Sequence, residues 1–265
     1  MQYIYIFNRD SENSIKTKEE LVKLLTNSGF TVEDSCSSNT ELIISIGGDG
    51  TFLKATKQGD YKLPVLGINT GHLGFYADFD PNNLNEVVDA CKKCDYVVQN
   101  YRTLKAKVET QNEEFILGPA INDILIKHGE SSILHLGLYI KDDFIENFSG
   151  DGILVSSSAG STAYNYSLGG GIVDPEIDLL QITPVAPTNN VVYRNFTSSL
   201  IIPASKPINI VPNDTNNMVI VLDGKENIVD GVKHISIELS LEEIQVIRKA
   251  DYSFWSKVKT KFISD

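Results

Sequence analysis

The sequence predicts an α/β fold followed by an all-β one, and three observations carry that expectation. Over the first hundred residues, short apolar runs alternate with stretches whose apolar side chains recur at helical spacing, the pattern of a parallel sheet covered by helices. Beyond about Tyr101 the chain becomes a succession of short β-type runs with polar breaks, as in an all-β layer or sandwich. A length of 265 residues is enough to bury a sizeable core and to divide in two. The expected domains are residues 1–100 and 101–240, with residues 241–265 packing back on the first domain.

Residues 3–7 (YIYIF) are β-branched and aromatic throughout, as a first buried strand requires. Thr17-Lys18-Glu19-Glu20 matches a capping box; Leu21, Val22, Leu24 and Leu25 then recur with helical spacing, and Gly29 is placed to stop the helix. Residues 42–46 (LIISI) form the next strand, which ends abruptly at Gly47-Gly48-Asp49-Gly50 and gives way to a helix-compatible stretch from Thr51 to Lys57. Residues 64–68 (PVLGI) read as a third strand, leaving through Asn69-Thr70-Gly71-His72-Leu73-Gly74-Phe75, and a helix comes next from about Asn82 to Cys94. In the second part strands are expected at 105–109, 115–117, 121–126, 134–140, 153–156, 191–193, 200–202, 208–211, 218–222 and 235–239. Residues 253–259 read as a short amphipathic helix docking on the first domain.

Composition removes several function classes. A formal net charge of −12 argues against a broad phosphate-backbone surface, so no nucleic-acid partner is expected. No apolar run approaches the length needed to span a bilayer, and the first residues (MQYIYIFNRD) lack the regions of a signal peptide, so a cytoplasmic protein without a membrane partner is expected. Cys36, Cys91 and Cys94 are too few for a disulfide framework, and the C-x-x-C pair has no second half to complete a zinc site.

Two glycine-rich regions carry the chemistry. A buried strand feeding Gly47-Gly48-Asp49-Gly50 and then a helix can turn backbone N–H groups toward a phosphate. Asp49 is out of place there, because an anion repels a phosphate unless it binds a metal or accepts a proton; the bland alternative is a helix N-cap. The turn is neither a Walker A loop nor a dinucleotide fingerprint, since G-x-x-x-x-G-K-[ST] and G-x-G-x-x-G are both missing. The second region runs from Ser149-Gly150-Asp151-Gly152 through Ser156-Ser157-Ser158-Ala159-Gly160-Ser161-Thr162-Ala163-Tyr164 to Gly171. Its small residues admit close approach to the backbone, while hydroxyls and a tyrosine supply donors and a stacking face. A serine hydrolase is disfavoured because the G-x-S-x-G elbow and S-x-x-K are absent. Asn122-Asp123 places an amide and a carboxylate at the start of a β run, where they could hold a ribose diol or an adenine edge.

Taken together, GGDG-T at 47–51, T-G-H-L-G-F at 70–75, Asn122-Asp123, the GDG…S-S…G-S-T-A-Y-N…S-L-G-G segment at 150–170 and I-T-P-V-A-P at 182–187 resemble the NAD kinase family in order and spacing. The resemblance implies a Rossmann-like α/β domain bearing the GGDG loop, a β-sandwich-like domain, and an active site in the cleft between them. It also implies transfer of the γ-phosphoryl group of ATP, or of polyphosphate, to the 2′-hydroxyl of the adenosine ribose of NAD. Asp49 would be the catalytic base; Gly47, Gly48 and Gly50 would bring N–H groups to the donor phosphates, with Lys54 as a candidate phosphate partner and a divalent ion, Mg²⁺ by default, neutralising charge.

Asn122 and Asp123 would hold the ribose and adenosine, although the family usually has Glu at the second position. Thr162, Ala163, Tyr164, Asn165 and Ser167 would line the dinucleotide pocket with Gly50 and Phe75, and Asp151 would lie toward the nicotinamide. Ser149 stands where many relatives carry Arg, and Ala159 where they often carry Thr. Ala186 and Tyr193 belong to a segment that completes a neighbouring subunit's site, and Asp223-Gly224-Lys225 matches the family's late D-G element. The resemblance further implies a homo-oligomer, commonly a tetramer. The alternatives are an NAD(P)(H)-binding sensor that has lost catalysis, motivated by Asp123 and Ser149, and a lipid kinase of the diacylglycerol or sphingosine type.

Overall fold

Three of the four β-strands at the start of the chain are dominated by apolar residues because helices cover them. The computed structural model describes residues 2–71, 74–130, 132–191 and 193–263. Its residues group into two units, Met1–Tyr101 with Glu243–Asp265 and, separately, Arg102–Glu242. His72 and Leu73 of the T-G-H-L-G-F run lie outside the described residues.

In the first unit the order is β1 (Tyr3–Asn8), α1 (Glu12–Asn27), β2 (Thr31–Glu33), β3 (Leu42–Gly47), α2 (Asp49–Gln58), β4 (Val65–Asn69) and α3 (Leu84–Lys93), after which β5 (Tyr96–Thr110) begins. The strands lie in the order β2-β1-β3-β4 and every pair is parallel. All six residues of β3 are buried, so the strand has no solvent face and reads as an uninterrupted apolar run. Leu21 and Leu25 of α1 and Val87 and Val88 of α3 close one core over Ile4, Ile6, Ile44 and Ile46.

The capping-box reading is corrected here: α1 begins at Glu12 with Ser11 as N-cap, and Thr17 is interior, its hydroxyl donating to the Asn13 carbonyl at 2.8 Å. The first turns escape periodicity because the side chains they bury are Ser14 and Thr17, not apolar ones. Gly29, with φ 91°, comes directly after the C-cap Ser28.

The second unit is built from β6 (Glu114–Ala120), β7 (Asp123–His128), β8 (Leu134–Ile140), β9 (Asp143–Gly150), β10 (Gly152–Ser156), a 3-10 turn at Ala159–Thr162, α4 (Tyr164–Ser167), β11 (Leu179–Val185), β12 (Leu200–Pro203), β13 (Ile208–Pro212), β14 (Met218–Leu222), β15 (Lys225–Val229) and most of β16 (Val232–Lys249). One antiparallel sheet runs β12-β11-β10-β7-β14-β15, and a second contains β16-β13-β8-β9 together with the β5–β6 pair. Alternate residues of both sheets meet in one core: Ile124, Ile126, Ile153, Val155, Leu180 and Ile220 from the first, and Leu136, Leu138, Ile208, Ile210, Ile235 and Ile237 from the second.

Strands β2, β9, β11 and β15 escape the sequence reading. Strand β9 mixes Glu146 and Asn147 into its apolar residues, and β11 carries a buried Gln181 and a proline. The strand expected at 191–193 does not form: Val191 and Tyr193 lie outside any strand and Val192 is outside the described residues. Residues 235–239 are only the middle of the 18-residue β16, whose end enters the first unit and pairs Val246 and Ile247 in parallel with Val65 and Leu66. Helix α5 (Phe254–Phe262) ends the chain in that same unit. No helix among the described residues is long and apolar enough to cross a membrane.

Candidate functional site

The GGDG turn joins β3 to α2 with Gly48 as N-cap, so Asp49 is the first helical residue and not the cap. Its carboxylate, half-buried, turns away from the helix: Phe75 N–H donates to Oδ2 at 2.8 Å and Tyr76 N–H to Oδ1 at 3.0 Å. Each carboxylate oxygen therefore keeps a lone pair free to accept a proton while the group is held from behind. Gly74 permits this close approach, since a Cβ there would lie 2.3 Å from Asp49 Oδ1. The N–H groups of Asp49 and Gly50, at the first two helical positions, have no acceptor within the helix, the arrangement that suits an anion. Lys54 is exposed one turn further along.

Phe75 itself is buried, its ring packed against Phe254 and Phe262 of α5 at centroid distances of 6.1 and 5.7 Å; what it offers Asp49 is its main chain. Tyr76 stacks on Phe52 at 5.0 Å, pinning the segment onto α2. Beneath the segment Arg248 is fully buried. Its Nη1–H donates to the Phe75 carbonyl at 2.7 Å and to Asp78 at 3.2 Å, its Nε–H to Gln99 at 2.8 Å and its Nη2–H to Tyr101 at 2.7 Å. Lys257 from α5 donates to the Phe75 and Ala77 carbonyls at 3.2 and 3.0 Å and pairs with Asp78. Tyr76, Asp78, Arg248 and Lys257 were not read from the sequence. One signal existed: Ile244, Val246 and Arg248 share a strand face, and that face is buried.

In the second unit the Asn122-Asp123 bend is clamped from two sides. Asp223, at the β14–β15 hairpin, accepts from the N–H groups of Ile121 at 2.8 Å, Asn122 at 2.7 Å and Asp123 at 3.4 Å. The Ser157 hydroxyl donates to the Ile121 carbonyl at 2.6 Å and accepts from Gly160 N–H at 3.1 Å. A Cβ on Gly160 would stand 2.0 Å from the Asn122 carbonyl oxygen, so glycine alone lets the 3-10 turn seat here. Asn122 and Asp123 are both buried, and burial with the neighbouring Asp223 carboxylate pushes Asp123 up to about 7.

The remaining expected residues divide. Ala159, Ala163, Tyr164 and Ser167 stand at least partly open along the turn and α4, while Thr162 is buried. Asn165 points inward, its amide oxygen accepting from Thr183 at 2.6 Å, with Gly170 packed against it. Ser149 is buried as well. Its hydroxyl meets His135 Nδ1 at 2.8 Å, and its main chain is bound by Asn195 and Thr188, so it anchors the segment that carries Tyr193. Tyr193 stacks on His135 at 5.5 Å. Asp151 is exposed at the β9–β10 turn, Ala186 is exposed with φ 44°, and Lys225 is exposed beside Asp223.

Residues 31–96 match the ATP-NAD kinase N-terminal domain and residues 121–249 the ATP-NAD kinase C-terminal domain. An NAD kinase of Finegoldia magna is 32% identical over 98% of this chain and 97% of its own length, and one of Lactobacillus acidophilus is 32% identical over 99% and 97%. The chain belongs to the NAD kinase family. Two solved structures share the fold. A yeast NADH kinase complexed with NADH has a TM-score of 0.85 at 21% identity, covering 100% of this chain and 89% of that one. An Archaeoglobus fulgidus NAD kinase in complex with ATP has a TM-score of 0.76 at 24% identity, covering 98% and 99%. In this NAD kinase family member the Ser149 side chain is interior and tied to His135.

Proposed function

We propose that the chain phosphorylates NAD to NADP, taking the γ-phosphoryl group of ATP to the 2′-hydroxyl of the adenosine ribose, with Asp49 as general base. The observation that carries this reading is the Asp49 carboxylate itself, oriented by two main-chain N–H groups at the first position of a helix. The hydroxyl proton passes to Asp49 as the ribose oxygen bonds to the γ-phosphorus, and the bond from that phosphorus to the β-bridging oxygen breaks to release ADP. Backbone N–H groups of Gly48, Asp49 and Gly50 donate to the donor phosphate oxygens, with Lys54 as an exposed cation one turn along. A polyphosphate chain presents the same terminal group and is the alternative donor.

Asn122 and Asp123 hold the adenosine and its ribose, and the open ring of Tyr164 offers a stacking face. Ala159, Thr162, Ala163 and Ser167 complete the pocket wall, and Asp151 lies toward the nicotinamide. Asp223 serves by shaping the Asn122-Asp123 bend. A divalent ion, Mg²⁺ by default, accompanies the ATP phosphates and neutralises their charge. A cytoplasmic setting and a homotetramer, with Ala186 and Tyr193 toward a neighbouring subunit, belong to the same reading.

The test is a coupled assay of NADP formation from NAD, ATP and Mg²⁺ with wild type and Asp49→Asn. Wild-type turnover and a variant that still binds NAD but forms almost no NADP are expected. Full activity in the variant removes Asp49 from the role, and NAD binding without any wild-type turnover makes the protein a sensor.

A further inference from the structure

The peptide group between Phe75 and Tyr76 is hydrogen-bonded at both ends to charge. Its N–H donates to Asp49 Oδ1 at 3.0 Å. Its carbonyl accepts from the Arg248 guanidinium at 2.7 Å and from the Lys257 ammonium at 3.2 Å. Chains of hydrogen bonds polarise one another, the more so away from water, and a carbonyl bound by two cations makes its own N–H a stronger donor. Both cations are shielded from solvent, their side chains only 1% and 10% exposed. Asp78, 6% exposed, sits between them and offsets one charge, so the cluster presents one net positive charge behind the peptide and Asp49 presents one negative charge in front. Burial lowers the Lys257 ammonium, and Asp78 and Asp49 oppose that shift.

A buried ion pair is often no more stabilising than apolar side chains of the same volume, so the presence of two buried cations here is weak evidence for a role in stability alone.

We propose that Arg248 and Lys257 are positioning residues for the Asp49 carboxylate, acting through the Phe75–Tyr76 peptide group. This rests on Asp49 being the base. The pair holds the peptide plane so that its N–H points at Oδ1, and strengthens that bond without touching substrate. Lys257 is the better probe, because Arg248 also ties Gln99, Tyr101 and Asp78 together and its removal strips several partners at once.

In Lys257→Met the kcat is expected to fall about tenfold, the effect of one charge-assisted hydrogen bond, with KM for NAD and for ATP unchanged within about twofold. The amide proton resonance of Tyr76 should move upfield as its bond weakens, and Lys257→Arg should return both quantities toward wild type. Lys257→Gln, which keeps a neutral donor toward the two carbonyls, serves if the methionine variant does not fold, with an intermediate effect expected. A folded variant whose Tyr76 resonance and kcat both stay at the wild-type value, or whose only change is a lower Tm, overturns the proposal. The amide resonance separates this failure from that of the base assignment: if Asp49→Asn were active, the upfield shift in Lys257→Met would still establish the coupling.

Discussion

The molecule contains the same three residues, Gly-Asp-Gly, at the end of two strands, the fully buried β3 and the edge strand β9, and the two copies sit in different surroundings. At 48–50 the chain continues as a helix, and Asp49 lies at its first position with both carboxylate oxygens bound by N–H groups of a distant loop. At 150–152 it leaves β9 for the other sheet, where β10 runs antiparallel to β7 and β11, and Asp151 stands in solvent while its N–H donates to the Val185 carbonyl at 3.0 Å. The residues just beyond each turn make the difference. Thr51-Phe52-Leu53-Lys54-Ala55-Thr56-Lys57 buries Phe52, Ala55 and Thr56 at helical spacing, whereas residues 152–156 bury every side chain of a strand. A helix start brings unpaired N–H groups and a positive dipole end, which suit phosphate; a strand-to-strand crossover between sheets brings neither.

The largest test of that contrast substitutes each aspartate by asparagine. Asp49→Asn is expected to lower kcat by at least about a thousandfold, as for loss of a general base. Asp151→Asn should change kcat/KM by less than about tenfold, through KM; equal losses would end the distinction. Next is Gly74→Ala, whose Cβ would fall 2.3 Å from Asp49 Oδ1 and push the carboxylate out of line. A displacement on the order of 1 Å costs about a hundredfold in rate, so kcat should drop by that order while circular dichroism stays native.

The smallest expected effect concerns Asp123. Its folded-state value of about 7 lies above the ordinary 3.8, so the folded chain retains a proton that the unfolded chain has lost. Its stabilising contribution is full below pH 3.8 and disappears as pH rises through about 7, so Tm of the free protein should decline over that interval. Asp123→Asn should flatten the decline relative to wild type. A ribose hydroxyl donating to the carboxylate favours the ionised form, so NAD should bind more tightly at pH 8 than at pH 6, and the asparagine variant should lose that dependence.

Much of the architecture was legible from residue order alone. Strand β3 and the GGDG turn are visible because a strand buried on both faces must be apolar at every position, and its end must be marked by residues that tolerate a sharp turn. Strand β14 is read to the residue for the same reason. The start of α1 was missed because a helix can bury Ser14 and Thr17 where the neighbouring loop supplies a partner, Thr70, for the serine hydroxyl. Strand β9 was missed because an edge partner of β8 needs few apolar residues to hold its place.

By itself the sequence determined the two-part order of α/β and β segments and the glycine turns, and it marked Asp49 and Asp123 as the carboxylates to watch. Each of these is written in neighbouring residues, since periodicity and turn chemistry act over a few positions. Only the tertiary structure decided what surrounds those carboxylates. Asp49 is held by Phe75 and Tyr76, which are braced by Arg248 and Lys257; Asp123 is buried beside Asp223. These partners lie from 26 to 182 residues apart along the chain, a separation no local pattern encodes, and they meet because hydrophobic burial brings their strands and helices together.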